Sequence, residues 1–309
     1  MNAADLFYLM VFPGILFTVV LGFMVGWLDR KASARFQFRV GPPLTQSFND
    51  FFKLMGKETI VVRDGLQVPF IMAPFIAFSM LALVSTVIGS SLFFGQGFGA
   101  DLIVVLYLLM IYSVMVVIGG TATGNIYPSI GAGREIKLLL ADELVFILVC
   151  LIPVIKTGYS LRLGEILQWQ SVNGAIAWSV SGFIGLLLGI VCIQAKMALP
   201  PFHIPEAETE LVEGPMMEYS GPPLAFWKLN HLMMYVIFPF LLILLFLGGF
   251  SMEGIGILWA LLKYILIVVL MVVIKNTNPR IRSDTALNFF WKYAAPVGFV
   301  ALILAVIGG

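Results

Sequence analysis

Residues 201–223 read PFHIPEAETELVEGPMMEYSGPP, and five of them are glutamates: Glu206, Glu208, Glu210, Glu213 and Glu218. The chain on either side is built for hydrocarbon. Carboxylates held beside apolar segments are costly, and ionisable groups in such places belong to ion pathways or to cationic partner surfaces. Glu206, Glu210 and Glu213 stand at i, i+4 and i+7, so a helix would carry them on one face. Like charges that close raise one another's pKa values and suit proton exchange. A solvated acidic loop docking a basic partner is the other reading of the same residues. Eight prolines and glycines from Pro200 to Pro223 pin the backbone, which favours a shaped surface over a loose loop.

Three more constellations carry charge. Asp142 and Glu143 lie about one turn into an apolar stretch, with Arg134, Glu135 and Lys137 behind them. Neighbouring residues on a helix point about 100° apart, so one carboxylate is expected to pair with Lys137 or another base while the other faces inward. A structural salt bridge and a proton relay are both open there. Lys263 sits mid-way along a second apolar stretch, too far from either end to snorkel well, and is expected to pair with a carboxylate, within the chain or at a subunit interface. Arg35, Arg39, Arg280 and Arg282 flank other segments. They set topology, or they clamp carboxylates in the way guanidinium forks allow.

The elements that must position these groups are membrane helices. The 309 residues are 60% hydrophobic and 11% charged, and mean hydropathy is +1.01. That composition excludes a soluble globular domain. The pattern predicts a single integral membrane domain over 1–309, all-α, with about eight transmembrane helices. Spans are expected near 6–28, 70–94, 102–121, 138–156, 175–196, 224–249, 254–274 and 287–307, each long enough to cross about 30 Å of hydrocarbon. The glycine-rich stretch 119–133 reads as a loop. The first apolar run is too long, and lacks the basic start, for a cleavable signal. Leu44, Phe48, Phe51, Phe52 and Met55 recur at helical spacing in 44–58, which predicts an amphipathic interfacial helix.

Arg30, Lys31, Arg35, Arg39, Lys53, Lys57 and Arg63 all fall in the connection after the first span, and further basic residues follow the third and seventh. The connections near 95–100 and 250–253 have none. By the positive-inside rule both termini face out, and the acidic loop 197–223 lies on the cytoplasmic side of the plasma membrane.

Several function classes are excluded. A net charge of +1 makes no bulk electrostatic case for nucleic acid. Two isolated cysteines, Cys150 and Cys192, cannot ligate an iron–sulfur cluster or structural zinc and read as small core hydrophobes. His203 and His231 show no metal spacing, so the chain is expected to bind no metal or haem by itself. There is no phosphate-binding glycine loop. A stand-alone secondary transporter would need a midplane site between broken helices, whereas the charge here gathers at one edge. A purely structural anchor would tolerate neutral substitutions in the cluster.

Five motifs then occur in order: Asp29-Arg30-Lys31 with Arg39-Val40-Gly41-Pro42, Lys53-Leu54 with Lys57-Glu58, Arg134 nine residues before Glu143, Pro201-Phe202 through Glu206–Val212 to Glu218-Tyr219, and Asn278-Pro279-Arg280 through Arg282 to Asp284. In these the chain resembles the heel-subunit family of the respiratory complex I membrane arm, also called NADH dehydrogenase subunit 1. It also resembles that family's relatives in membrane-bound nickel–iron hydrogenases and sulfane sulfur reductases. The resemblance implies an eight-helix fold and a cavity at the cytoplasmic boundary. It implies that Glu143, Asp142 and the loop glutamates couple redox chemistry to proton or sodium movement. Arg30, Lys31, Arg39, Arg134, Arg280, Arg282 and Asp284 would then serve as counter-charges or docking groups. The partners it implies are membrane lipid, soluble iron–sulfur and hydrogenase-like subunits, and antiporter-like membrane subunits. Any iron–sulfur or nickel–iron centre would lie in those neighbours. Quinone-reducing members usually have Phe-Asp where this chain has Phe202-His203, and a longer stretch after Gly-Pro. Glu218-Tyr219-Ser220-Gly221-Pro222 is nearer the hydrogenase side. The expectation is therefore a coupling subunit of a hydrogenase or sulfur-reductase complex, with a quinone-site heel subunit as the alternative and His203 as an extra titrating group or a plain loop histidine.

Overall fold

The computed structural model describes residues 3–308, apart from Asp64, Gln96, residues 98–100 and residues 251–253, so parts of the connections near 95–100 and 250–253 lie outside the described residues. There is no strand among them, and the chain is an all-α polytopic membrane protein. Among the described residues seven helical segments are long and apolar enough to cross a membrane, and one shorter apolar helix accompanies them.

The first crossing is built from α1 (Ala3–Met10) and α2 (Ile15–Phe36), broken around Pro13. Helix α2 runs on past Leu28 and carries Asp29, Arg30 and Lys31 on its last turns. Helix α3 (Gln46–Met55) is the amphipathic segment; Phe48 and Phe52 face outward and Ser47 inward. Helices α4 (Gln67–Phe94) and α5 (Asp101–Thr121) pack side by side. Helix α6 (Ile126–Lys156) has 31 residues, about 46 Å at 1.5 Å per residue, and so outruns a hydrocarbon core of about 30 Å. The extra length lies at its start, where the glycine-rich sequence reads as loop but Asn125 caps the helix by accepting from the Tyr127 amide. The connection after α6 holds a further helix, α7 (Leu163–Asn173), before α8 (Val180–Lys196).

Helix α10 (Gly221–Phe246) is the axis of the bundle; α2, α3, α4 and α8 all lean on it, and almost every residue from Met233 to Phe246 is buried. Pro222 and Pro223 open it, where missing amide protons cost nothing. Its far end is closed by two side chains. Gln170 donates to the Leu244 carbonyl at 2.8 Å and accepts from the Gly248 amide at 2.9 Å. Lys263 donates to the carbonyls of Leu247 at 2.6 Å and Gly249 at 3.2 Å. Lys263 therefore meets backbone carbonyls rather than a carboxylate, because a helix C-terminus offers unsatisfied oxygens and negative potential within its reach.

Helix α11 (Gly256–Thr277) shows a largely apolar exposed face. The last crossing joins α12 (Ser283–Phe289), a π turn over Phe290–Ala294 and α13 (Ala295–Ile307). Its stripe of Ala294, Gly298, Ala301 and Ala305 is buried, where α6 and α8 are its main neighbours. The charged connections converge at one end of the bundle, tied by Tyr219 Oη donating to the Phe70 carbonyl and the Ile281 amide donating to the Pro201 carbonyl.

Small residues let the first crossing reach the axis. A Cβ at Gly22 would lie 3.0 Å from the Leu232 backbone oxygen, and one at Gly26 would lie 2.3 Å from the Leu232 side chain. Gly22→Leu is expected to cost about 1–3 kcal/mol by overpacking. It should lower the thermal midpoint at which the chain unfolds in mild detergent, with Gly22→Ala affected less; an unchanged midpoint for the leucine variant would show that α2 is not held by this contact.

Candidate functional site

Burial sorts the charges at this end into three layers. The outermost is the acidic segment itself. Helix α9 (Glu208–Leu211) lasts only four residues, because Val212 adopts φ +64° and ends it. Glu206, Glu210 and Glu213 therefore do not share the helical face that their spacing suggests. Glu210 points to Arg134 Nη1 at 2.6 Å and Arg280 Nη2 at 3.0 Å, so α6 and the connection between α11 and α12 grip the loop through one carboxylate. The hydrogen bond from Arg134, helped by the charge of Arg280, holds the Glu210 carboxyl below the usual carboxylate range. Glu218 accepts from the Asn125 side chain that caps α6. The side chain of Glu208 lies outside the described residues.

The middle layer is a cavity of about 300 Å³ between α2, α3, α10 and the loop. Two ion pairs wall it. Asp29 meets Lys275 at 2.9 Å, and Arg30 meets Asp50 at 2.7 Å. Burial alone would push the Asp50 carboxyl up, but hydrogen bonds from Arg30 and Gln46 outweigh it and hold the group below its ordinary value. Glu206, Glu213, His203, His231 and Lys228 also face this space. Phe51, Leu54, Leu224 and Leu232 give it an apolar side.

The innermost layer starts at a small pocket of about 10 Å³, lined by Tyr112, Glu206 and His231, which also line the cavity, and by Glu135 and Lys196, which do not. Glu135 is buried, hydrogen-bonded to Ser113, and close enough to Glu206, Asp142 and Lys196 to interact electrostatically with each. Lys196, on the last turn of α8, then binds both carboxylates of the pair on α6: Glu143 at 2.6 Å and Asp142 at 3.3 Å. Asp142 and Glu143 are thus joined through a single ammonium instead of diverging, and Lys137 stands exposed without an ion pair among the described residues. The Lys196 ammonium also lies 4.7 Å from the Phe146 ring centre. Asp142 is 2% exposed at its side chain and Glu143 is 19%, so the chain of charge ends at the bundle surface beside the exposed Leu140, Leu144 and Ile147.

Other residues singled out by sequence stay outside this chain. Lys31 lies over the Trp27 ring, 4.6 Å from its centre. Arg39, Arg282 and Asp284 are without an ion pair among the described residues, and Lys263 is at the opposite end of α10. Sequence reasoning passed over Lys196, Glu135 and the Asp29–Lys275 pair as functional groups. Their only linear signal is charge inside or at the edge of an apolar run. No group of three or more His, Cys, Asp or Glu side chains is placed to hold a metal among the described residues.

The fold and site define a class: polytopic all-α membrane proteins in which a charged cavity at one boundary leads to carboxylates inside the bundle. The match to the NADH dehydrogenase family extends over residues 8–306, and the chain belongs to that family. It is 34% identical over 315 residues to an NADH-quinone oxidoreductase subunit of Thermomicrobium roseum, covering 93% of this chain and 91% of that protein. The corresponding NADH-quinone oxidoreductase subunit of Bacillus mycoides is 31% identical over 308 residues, covering 95% and 91%. Among solved structures, a chain of the membrane-bound sulfane sulfur reductase, an archaeal respiratory membrane complex, has the same fold, with a TM-score of 0.86 over 98% of this chain and 100% of that one at 24% identity.

Because the Glu210 carboxyl is lowered in the folded protein, its grip is fully present above the ordinary carboxylate pKa and is lost as pH falls through the lowered value. A nitroxide on Val212→Cys, selective because Cys150 and Cys192 are buried, should report a restrained loop at neutral pH and a freer one on acidification below the carboxylate range. Glu210→Gln should free it at neutral pH; a loop equally restrained with glutamine would remove the two-arginine clamp as its anchor.

Proposed function

We propose that this chain is the membrane-embedded coupling subunit of an ion-translocating redox complex, at the joint between a soluble electron-transfer arm and ion-moving membrane partners. One observation carries the reading. Glu206 borders both the cavity and the small pocket beside it, Glu135 interacts electrostatically with Glu206, Asp142 and Lys196, and Lys196 is ion-paired to Asp142 and Glu143. Electrostatics supplies the mechanism. A charge arriving near the cavity shifts the protonation of Glu206 and Glu213, these shift Glu135, and the change reaches Glu143 through Lys196. Each unit of pKa shift corresponds to about 1.4 kcal/mol, and one charge at close range in a poorly solvated site can supply that much.

The same layout supports the partners and orientation. The basic groups Arg39 and Arg282 stand at the charged end, where soluble iron–sulfur subunits would dock on the cytoplasmic side, with both termini outside. Glu143 at the rim of an apolar face calls for a membrane partner, of antiporter-like kind, to cover it. The redox centres belong to the soluble neighbours.

For the terminal acceptor, the short Gly41-Pro42-Pro43 stretch and His203 support the hydrogenase or sulfur-reductase type. The quinone-reducing type is favoured by a different observation: a cavity of about 300 Å³ with an apolar wall lies at the lower end of the range for small-molecule sites, and the Thermomicrobium and Bacillus relatives are quinone oxidoreductase subunits.

The intact assembly, purified through a tag on this chain, should contain nickel near one atom per complex and no quinone if it is a hydrogenase. Iron without nickel and without quinone fits a sulfur reductase, and bound quinone fits the alternative. In the same assembly Glu143→Gln is expected to abolish ion translocation driven by electron transfer while subunit composition stays intact. Full translocation in that variant would refute coupling through Glu143.

A further inference from the structure

His203 is held in a way that fixes which of its nitrogens can do chemistry. Ala198, just past the end of α8, adopts φ +48°, and its carbonyl lies 2.7 Å from His203 Nδ1. A carbonyl oxygen only accepts, so Nδ1 carries the proton and the neutral ring keeps its lone pair on Nε2. Nε2 has no hydrogen-bond partner among the described residues, and the ring lines the 300 Å³ cavity. Asp29 pairs with Lys275 and Arg30 with Asp50 in the wall of this space. Glu206, Glu213, Lys228 and His231 line it too, and His231 interacts electrostatically with the His203 ring. Glu206 and His231 also line the small adjoining pocket that Glu135 borders.

We infer that His203 is the proton-loading residue of the cavity, working through Nε2 alone. The inference rests on the coupling role proposed above. A hydronium or hydroxyl donor in the cavity gives its proton to Nε2, forming imidazolium; the donor is left as water or as its conjugate base. The Nε2 proton then leaves, directly or across water, for the Glu206 carboxylate, which becomes the neutral acid. The ring returns to its original tautomer. Nδ1–H never leaves the Ala198 carbonyl, so the cycle needs no ring flip and no tautomer exchange. That differs from a plain loop histidine, whose Nδ1 bond would be its whole purpose.

The test uses the intact complex reconstituted in vesicles, with ion translocation driven by electron transfer. His203→Gln keeps polarity but cannot carry a proton, and should slow translocation by about a hundredfold, the lower end of what positioned proton-transfer groups contribute. His203→Gly opens space at the cavity wall, and added imidazole should restore the rate in proportion to its neutral form. A purely structural histidine would not be rescued by a free base. Wild-type rates in His203→Gln, or a slow His203→Gly variant that imidazole leaves slow, would overturn the inference. Glu143→Gln run alongside separates the two levels. If it still translocates, the coupling role itself fails; if it is uncoupled while both His203 variants behave as wild type, only the histidine inference fails.

Discussion

The cost of charge in an apolar bundle is the constraint on which this architecture turns. Moving a carboxylate or an ammonium out of water costs several kcal/mol even after relaxation, and only close partners repay it. Lys196 is the clearest case. Its ammonium reaches two carboxylates on a neighbouring helix and an aromatic face, so α6 and α8 are locked in register by one side chain. Removing Lys196 would leave both carboxylates without their cation. The Asp29–Lys275 pair does the same between α2 and α11. The helices are held as much by where their charges must meet as by the apolar packing around α10.

That constraint also explains why the acidic segment is shaped rather than loose. A short helix, a residue with positive φ and a 3-10 turn at Gly214–Met216 split its glutamates among different tasks. Glu210 fastens the segment to Arg134 and Arg280, Glu218 meets the cap of α6, and Glu206 with Glu213 turns to the cavity. The carboxylate that clamps the segment to two arginines is thus a different one from the two that face the cavity.

The all-α membrane class was legible from the long apolar runs, since a helix that crosses lipid must satisfy its own backbone. The start of α6 was not, because glycines and charges between 119 and 137 imitate a loop, and only packing against Pro215 and the Asn125 cap makes that stretch helical. The site was legible in composition and not in arrangement. Adjacent Asp142 and Glu143 diverge on a helical wheel, yet both reach Lys196 because a lysine at the end of α8 is long enough to stand between them. Linear spacing carries no trace of that lysine as a partner; it reads as the last turn of a span. Lys263 differs in the opposite sense, because within this chain its ammonium meets backbone carbonyls. A buried ammonium needs acceptors, and the sequence marks carboxylates but cannot mark which backbone carbonyls a helix end leaves open.

The small pocket beside the cavity has a further meaning. Its volume of about 10 Å³ is close to the least that holds one water molecule. Tyr112, Glu135, Lys196, Glu206 and His231 border it, so a water seated there would have the several polar partners that buried water needs.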